Sequence, residues 1–327
     1  MDYKIISIVG NSKNAGKTTV INSILKDLKS NNIAITSIGL DGEEIDQVTY
    51  REKPRIYCLE GYLIATAKDT LSQFEAEYKM LEETNIRTSI GSVVIVEIKK
   101  AGNALIAGPS VVLDMEKTVK ILEKYNPYKI FIDGAFFRHS LAKIAEATIY
   151  VVGANLTNNI DKVVNYAKLS TKKFNLKKVD QKLEKLINYS SVCLINEQYE
   201  IKDLGFETVI GNTEKIFEEE NKKYRFLYLP KSVTNEFLLQ LIKERRSFKF
   251  DIIVNSPVNI QLNLDNLSYL FKLKNNVFVI NEINLIAVCL NPFSPRGYEF
   301  KKQDFKKRLE ESLGIEVFNV QEEVTYE

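Results

Sequence analysis

The chain has 327 residues, of which 45% are hydrophobic and 27% are charged, so its composition is that of an ordinary globular protein. The formal net charge of +2 provides no overall field that would favour a nucleic acid or a membrane surface, and neither partner is expected. Three widely spaced cysteines and one histidine indicate neither a disulfide framework nor a zinc site.

The length and the hydropathy pattern predict a two-domain protein without a membrane span. A chain of this size exceeds one typical domain. No apolar run approaches the roughly 20 residues that span a bilayer, and the short apolar run after Asp2 and Lys4 does not have the form of a signal peptide. The sequence therefore predicts a cytoplasmic protein.

The first 30 residues carry the clearest functional signal. The apolar, β-branched run at residues 5–9 predicts a buried strand, and the apolar spacing over residues 20–28 predicts a helix. Between them lie a glycine-bounded loop, residues 10–16, and the sequence Lys17-Thr18-Thr19. Strand, glycine loop, GKT and helix in this order are typical of a Walker A phosphate-binding loop.

The residue types in this stretch suit a bound triphosphate. Glycines let the main chain approach phosphates, and the N–H groups of the loop and of the helix start favour an anion. Lys17 is predicted to reach the terminal phosphates as a catalytic residue, and the Thr18 hydroxyl is predicted to bind Mg²⁺. The predicted nucleotide-binding residues are Gly10, Asn11, Ser12, Lys13, Asn14, Ala15, Gly16, Lys17, Thr18 and Thr19.

The loop departs from the usual pattern in its length. Five residues separate Gly10 from Gly16, whereas the motif G-x4-GK[ST] has four. The longer loop resembles that of dethiobiotin synthetase and its relatives among the P-loop proteins. MinD-type ATPases have an additional lysine at the position of Ser12. Lys13 is one residue away, so that role is not assigned to it.

Two carboxylates are predicted at neighbouring strand ends. Residues 33–40 predict a second buried strand that leads into Asp41, and residues 128–133 predict a third that ends in Asp133. Ligands of open α/β sheets collect at the carboxyl ends of the strands, so both are expected beside the loop. Asp133 is predicted to bind Mg²⁺, as in a Walker B strand, with a strand-end turn as the alternative. Asp41 is predicted to take part in catalysis by orienting water or the metal, with a plain Asp-Gly turn as the alternative.

Two inserted units are predicted between these strands, where P-loop proteins often carry substrate- or partner-facing insertions. Each reads as a β-hairpin followed by a helix. The hairpins are predicted over residues 54–67 and 92–107, and the helices over residues 68–83 and 114–125.

The second half of the chain predicts further strands, helices and a second domain. Residues 147–154 and 191–196 are predicted core strands. In the dethiobiotin synthetase group an asparagine after the corresponding strand contacts the nucleobase, and this resemblance makes Asn196 a predicted nucleotide contact. The predicted fold is α/β, with a mainly parallel sheet of P-loop NTPase type and inserted hairpins over residues 1–212. A smaller α/β or α+β domain is predicted over residues 213–327.

The predicted C-terminal domain contains one notable loop, residues 291–297. Two prolines in the sequence NPFSPRG predict a rigid backbone with an exposed aromatic side chain. The sequence leaves open whether this loop contacts a ligand or partner or is a structural turn.

Five segments together resemble one family more closely. They are GNSKNAGKTT, SIGLDGEEID, KPRIY, IDGAFFR and LNPFSP, and they occur in this order over most of the chain. They resemble the small P-loop subunit of the lysine 5,6-aminomutase reactivase. The resemblance implies an ATP-dependent accessory protein with a MutS-like ATPase partner. Its implied client is an aminomutase that uses adenosylcobalamin and pyridoxal phosphate.

The predicted function is therefore that of an ATPase that binds Mg²⁺ and ATP, with GTP not excluded. Hydrolysis is expected to be slow until a partner closes over the site, because the sequence shows no convincing general base or arginine finger. One alternative is a cofactor-biosynthesis ligase or phosphotransferase similar to dethiobiotin synthetase. Another is a non-hydrolysing nucleotide sensor or scaffold. The sequence leaves open whether the protein forms a homodimer.

Overall fold

The computed structural model describes residues 3–28, 30, 32–38, 55–134, 144–218, 224–243, 250–273 and 275–319. The chain divides into two compact units, one formed by Met1–Lys168 with Leu285–Glu327 and the other by Leu169–Asn284. The class is α/β, with a large and mainly parallel sheet in the first unit. In the described part of the chain, no helix is long and apolar enough to cross a membrane.

The described strands of the first unit are numbered in chain order with those of the second. They are β1 (Ile5–Gly10), β2 (Ile33–Ser37), β3 (Ile56–Cys58), β4 (Leu63–Ala67), β5 (Glu77–Thr88), β6 (Gly91–Lys100), β7 (Gly102–Ala104), β8 (Lys129–Asp133), β9 (Ala147–Gly153), β18 (Leu285–Asn291) and β19 (Val317–Asn319). The helices are α1 (Lys17–Asp27), α2 (Val112–Lys124), α3 (Ile160–Phe174), which continues into the second unit, and α7 (Lys302–Leu313).

The main sheet has the order β19-β18-β9-β1-β8-β2-β4-β6-β5 in the described residues. All neighbouring pairs from β19 to β4 are parallel, and β6 and β5 are added antiparallel at one edge. The central strands are Ile- and Val-rich because both faces of the sheet are covered. Ile6 and Ile8 pack in one cluster with Val20 and Ile21 of α1.

The opposite face carries a second cluster. Ile130 and Ile132 of β8 pack there with Met115, Val119 and Leu122 of α2. The predicted parallel α/β sheet with helices on both faces is therefore confirmed for the first unit. The predicted strands at residues 5–9, 33–40, 128–133 and 147–154 are present as β1, β2, β8 and β9.

The two predicted hairpins are wrong. In the first, a turn does occur at Gly61, whose φ is 88°, but the strands on its two sides, β3 and β4, do not pair with each other. Instead, β3 pairs with β7, and β4 pairs with β2 and β6. The predicted second hairpin fails in the same way, since β6 pairs with β4 and β5. Strands of one inserted unit pair with strands of the other. The hydropathy pattern of a segment predicts that it is a strand but not which strand it pairs with.

The predicted helix over residues 68–83 is also wrong. A short 3-10 helix, Lys68–Gln73, is followed by the long edge strand β5. The register of β5 against β6 shifts at three places, for example between Met80 and Glu82. Each shift adds residues to one strand and interrupts the two-residue alternation that would mark this segment as a strand.

The second unit has a separate sheet of the order β10-β17-β15-β13-β11-β12 in its described residues. The described strands of the second unit are β10 (Lys177–Lys178), β11 (Cys193–Asn196), β12 (Ile201–Asp203), β13 (Tyr224–Leu229), β14 (Val233–Thr234), β15 (Asp251–Val254), β16 (Ile260–Gln261) and β17 (Val277–Val279). Of these described strands, β14 and β16 pair only with each other. Its helices are α4 (Thr213–Glu218), α5 (Asn235–Lys243) and α6 (Leu264–Leu270).

The predicted domain boundary between residues 212 and 213 is wrong. The second unit starts at Leu169, and the chain returns to the first unit at Leu285. The reason is the pairing of β18 with β9, which makes β18 a member of the main sheet although it lies in the predicted C-terminal domain. The second unit is therefore an insertion into the first.

Candidate functional site

The glycine loop lies at a point where the chain changes direction across the sheet. From β1 the chain continues to β2 on the side of β8, and after β8 it crosses to β9 on the other side of β1. Ile8 pairs with Asp133, and Gly10 pairs with Val151, so the three strands end together. Ligands of open α/β sheets bind outside the carboxyl ends of the strands at such a switch point.

The loop has a tight, glycine-dependent conformation. Gly16 has φ 102°, and Asn14 has φ 59°, which asparagine tolerates better than most residues. A Cβ added to Gly10 would lie 2.9 Å from the Ala15 Cβ, and one added to Gly153 would lie 2.5 Å from the Ala15 carbonyl oxygen. Glycine is therefore required where β1 and β9 meet the loop.

The start of α1 offers unsatisfied donors to an anion. Gly16 is the N-cap residue and has no side chain to accept from the first turn, which also contains no acidic residue. The first N–H groups of a helix have no intrahelical acceptor, and they favour negative charge. Lys17 and Thr18 occupy the first two helical positions, so their side chains lie at this anion-favouring end.

Thr18 and Asp133 are brought together as predicted. The Thr18 hydroxyl donates to Asp133 Oδ2 at 3.5 Å. Asp133 Oδ1 is buried and has no hydrogen-bond partner among the described residues. Burial raises the pKa of the Asp133 carboxyl, and the Lys17 ammonium and the Thr18 hydroxyl oppose this by favouring the ionised form.

These residues fit a magnesium ion. Within the described ranges, no group of three or more His, Cys, Asp and Glu side chains is arranged to hold a metal. Mg²⁺ does not need such a group, because it commonly uses one or two carboxylates, retains waters and takes phosphate oxygens from a nucleotide. The protein then has to supply only one or two oxygen ligands. The buried, unpartnered Oδ1 of Asp133 and the adjacent Thr18 hydroxyl are oxygen ligands of this type.

Other predicted loop residues contribute in different ways. Asn11 is fully buried, and its side chain is bonded to Gly153, donating to the carbonyl oxygen and accepting from the N–H, both at 3.0 Å. Its carboxamide therefore holds the loop against β9. The Ser12 hydroxyl donates to Asn11 Oδ1 at 3.3 Å. The side chains of Lys13 and Thr19 are exposed.

Two predictions do not find support at this edge. Asp41 lies outside the described residues. Asn196 ends β11, which belongs to the sheet of the second unit, so the strand equivalence behind its predicted base contact is wrong. The Asn196 side chain closes a local turn: its Oδ1 accepts from the Glu200 N–H at 2.9 Å, and its Nδ2 donates to the Glu200 carboxylate at 2.6 Å.

Sequence reasoning missed two asparagines that contact the loop. Asn155 follows β9 and donates to the Lys13 carbonyl oxygen at 2.7 Å. Asn291 ends β18 and donates to the Ala15 carbonyl oxygen at 3.2 Å. The available signal was the sequence NPFSPRG, which begins at Asn291, the last residue of β18. This sequence does not indicate that Asn291 contacts the glycine loop.

Comparison with protein-family models, with curated proteins and with solved structures gave no match. What bears on the function is the geometry of the loop, of Asp133 and of the residues that hold them in place.

Proposed function

We propose that the chain binds a magnesium nucleoside triphosphate at the residue 10–16 loop and acts as a P-loop ATPase. The observation that carries this proposal is the buried, unpaired Oδ1 of Asp133, whose other oxygen accepts from the Thr18 hydroxyl. In P-loop NTPases the loop Ser or Thr and a strand-end Asp hold Mg²⁺ beside the phosphates. When bound, the metal neutralises charge on the terminal phosphates.

The proposal assigns a separate role to each part of the loop. The N–H groups of the loop and of the first turn of α1 bind phosphate oxygens, and Lys17 pairs with the terminal phosphates. Thr18 and Asp133 hold the metal. The adjacency of β1 and β8 supports a sheet of P-loop NTPase type, because it puts the carboxylate beside the end of the strand that leads into the loop.

The accessory role is proposed on the sequence resemblance alone. The five matching segments support a reactivase subunit that acts on a cobalamin-dependent aminomutase together with a MutS-like ATPase. Three of these segments, SIGLDGEEID, KPRIY and IDGAFFR, extend beyond the described residues. In this role, nucleotide binding and loss drive changes at the partner, and hydrolysis is slow without it.

We expect isothermal titration calorimetry to detect one MgATP per chain, with weaker binding when EDTA removes Mg²⁺. At a ligand concentration one hundred times Kd, thermal unfolding is expected to report about 2.7 kcal/mol of stabilisation. Titration with pyrophosphate and with adenosine separates the contribution of the phosphates from that of the base. Absence of binding to ATP, ADP and GTP would contradict the proposed function.

The accessory role predicts nucleotide-dependent association. The immobilised chain is incubated with an aminomutase and its MutS-like partner in the presence of ADP, of a non-hydrolysable ATP analogue, or of no nucleotide. The amount of partner retained is expected to differ between these three conditions. A nucleotide that binds one conformation of the chain more tightly raises the population of that conformation, and with it the binding of a partner that recognises it. Equal retention in all three would reject the accessory role and leave nucleotide binding intact.

A further inference from the structure

Two peptide groups of the glycine loop are held from one side by asparagine side chains. Asn155 Nδ2 donates to the Lys13 carbonyl oxygen at 2.7 Å, and Asn291 Nδ2 donates to the Ala15 carbonyl oxygen at 3.2 Å. Both asparagines are at most 9% exposed, so these bonds are shielded from competing water. A Cβ added to Gly16 would lie 2.5 Å from Asn291 Nδ2, which shows how closely this side chain approaches the loop.

The orientation of each carboxamide is fixed by a donor on the segment after β18. The Phe293 N–H donates to Asn291 Oδ1 at 3.2 Å, and the Ser294 hydroxyl donates to Asn155 Oδ1 at 3.3 Å. With each amide oxygen engaged as an acceptor, the amide nitrogen is the atom that faces the loop. The segment is itself held by the Tyr298 hydroxyl, which donates to the Ala154 carbonyl oxygen at 2.7 Å.

These bonds determine where two backbone N–H groups point. No cis peptide bond occurs among the described residues, and in a planar trans peptide the N–H of one residue is directed opposite to the carbonyl of the residue before it. The Asn14 and Gly16 N–H groups therefore point away from Asn155 and Asn291. Neither N–H donates to an acceptor within the described part of the chain.

We infer that Asn155 and Asn291 are positioning residues that hold the Asn14 and Gly16 N–H groups toward the bound phosphates. This inference rests on the proposed function, and it gives the segment after β18 a role in anion recognition without contact to the nucleotide. Backbone N–H groups aimed at an anion act best when their orientation is set before binding, because no reorganisation is then needed. Without the asparagines, each peptide plane is free to rotate, and glycine at position 16 permits that rotation.

The test uses Asn155→Ala and Asn291→Ala, together with the isosteric Asn291→Asp, which replaces the donor by an acceptor. Each variant is expected to bind ADP and pyrophosphate about tenfold more weakly than the wild type. Asn159→Ala is the matched control. Asn159 accepts from the Lys162 N–H at the start of α3, so its loss is expected to lower the Tm and to leave the affinity for ADP and pyrophosphate unchanged.

A spectroscopic signal reports the Gly16 N–H directly. Labelling with carbonyl-¹³C alanine and ¹⁵N glycine selects Ala-Gly peptide groups, and the sequence contains three of them, ending at Gly16, Gly102 and Gly108. ADP is expected to shift the Gly16 amide signal of the wild type downfield. In Asn291→Ala and Asn291→Asp this shift is expected to be lost, and Gly102 is the internal reference.

The outcomes distinguish this inference from the proposed function. If the wild type binds neither ADP nor pyrophosphate, the proposed function fails. If the wild type binds both, and the Asn155 and Asn291 variants bind equally well with the Gly16 shift intact, only the positioning role fails. A loss of affinity in Asn159→Ala as large as that in Asn155→Ala would also overturn the positioning role, since it would show that lowered stability is sufficient.

Discussion

Replacing Lys17 by alanine is expected to lower the affinity for MgATP by at least about tenfold and to abolish hydrolysis while the protein remains folded. Lys17 is the first residue of α1, follows Gly16 directly and acts electrostatically on Asp133. A hydrogen bond from a charged group contributes roughly 1.5–3 kcal/mol, which corresponds to a change in affinity of about tenfold or more. Calorimetry with MgATP and steady-state phosphate release are the measurements.

The control is Lys26→Ala, which removes the same charge from the exposed last turn of the same helix. This variant is expected to bind MgATP like the wild type. Circular dichroism and thermal unfolding establish that both variants are folded. An affinity of Lys17→Ala equal to that of Lys26→Ala would show that the ammonium of Lys17 does not contact the phosphates, and the assignment of the loop would then be wrong.

The sequence predicts the elements of the site that depend on neighbouring residues. The strand, the loop and α1 are contiguous, so the buried run of β1, the glycines and the start of α1 at Lys17 are all local signals. Asp133 was predicted in the same way, because it ends an apolar run. That Asp133 meets Thr18 follows from one general rule, that ligands gather at the carboxyl edge of an open α/β sheet.

The parts that could not be predicted depend on contacts between distant segments. Asn291 is 276 residues from Ala15, and nothing in the local sequence of either reports their hydrogen bond. The insertion of the second unit has the same origin, since only the pairing of β18 with β9 shows that the chain returns to the main sheet. The strand that ends at Asn196 belongs to the sheet of the second unit, and the local sequence of that strand does not report this either.

The side chain of Asn11 illustrates a further limit of motif reasoning. A residue inside a phosphate-loop motif is easily interpreted as a ligand contact, but the Asn11 carboxamide forms two hydrogen bonds with the backbone of Gly153. Together with Asn155 and Asn291, it makes three asparagines that hold the loop from the side of β9 and β18. The shape of the loop is therefore set partly by Asn11, which belongs to the motif, and partly by Asn155 and Asn291, which come from the ends of other strands and are not part of the motif.

Replacing Asp133 by asparagine is expected to have opposite effects on stability and on binding. Without ligand, the variant is expected to be more stable than the wild type at neutral pH by roughly 1 kcal/mol, or a rise in Tm of about 2–4 °C. Burial is the largest influence on the Asp133 carboxyl and raises its pKa, so the ionised form lowers the stability of the native state. With MgATP, the Mg²⁺-dependent part of the stabilisation is expected to be lost.

The dependence on pH follows from the direction of the pKa shift. The native Asp133 carboxyl retains its proton to higher pH than the unfolded chain does, so stability falls as the pH rises from the ordinary carboxyl pKa through the raised one. Asparagine does not titrate, so the difference in Tm between variant and wild type is expected to be largest at neutral pH and to disappear toward about pH 3. Thermal unfolding across this range, with and without Mg²⁺ and ATP, tests both effects. A variant that is no more stable than the wild type at neutral pH, and that retains the full Mg²⁺-dependent stabilisation, would show that this carboxylate is not the metal ligand.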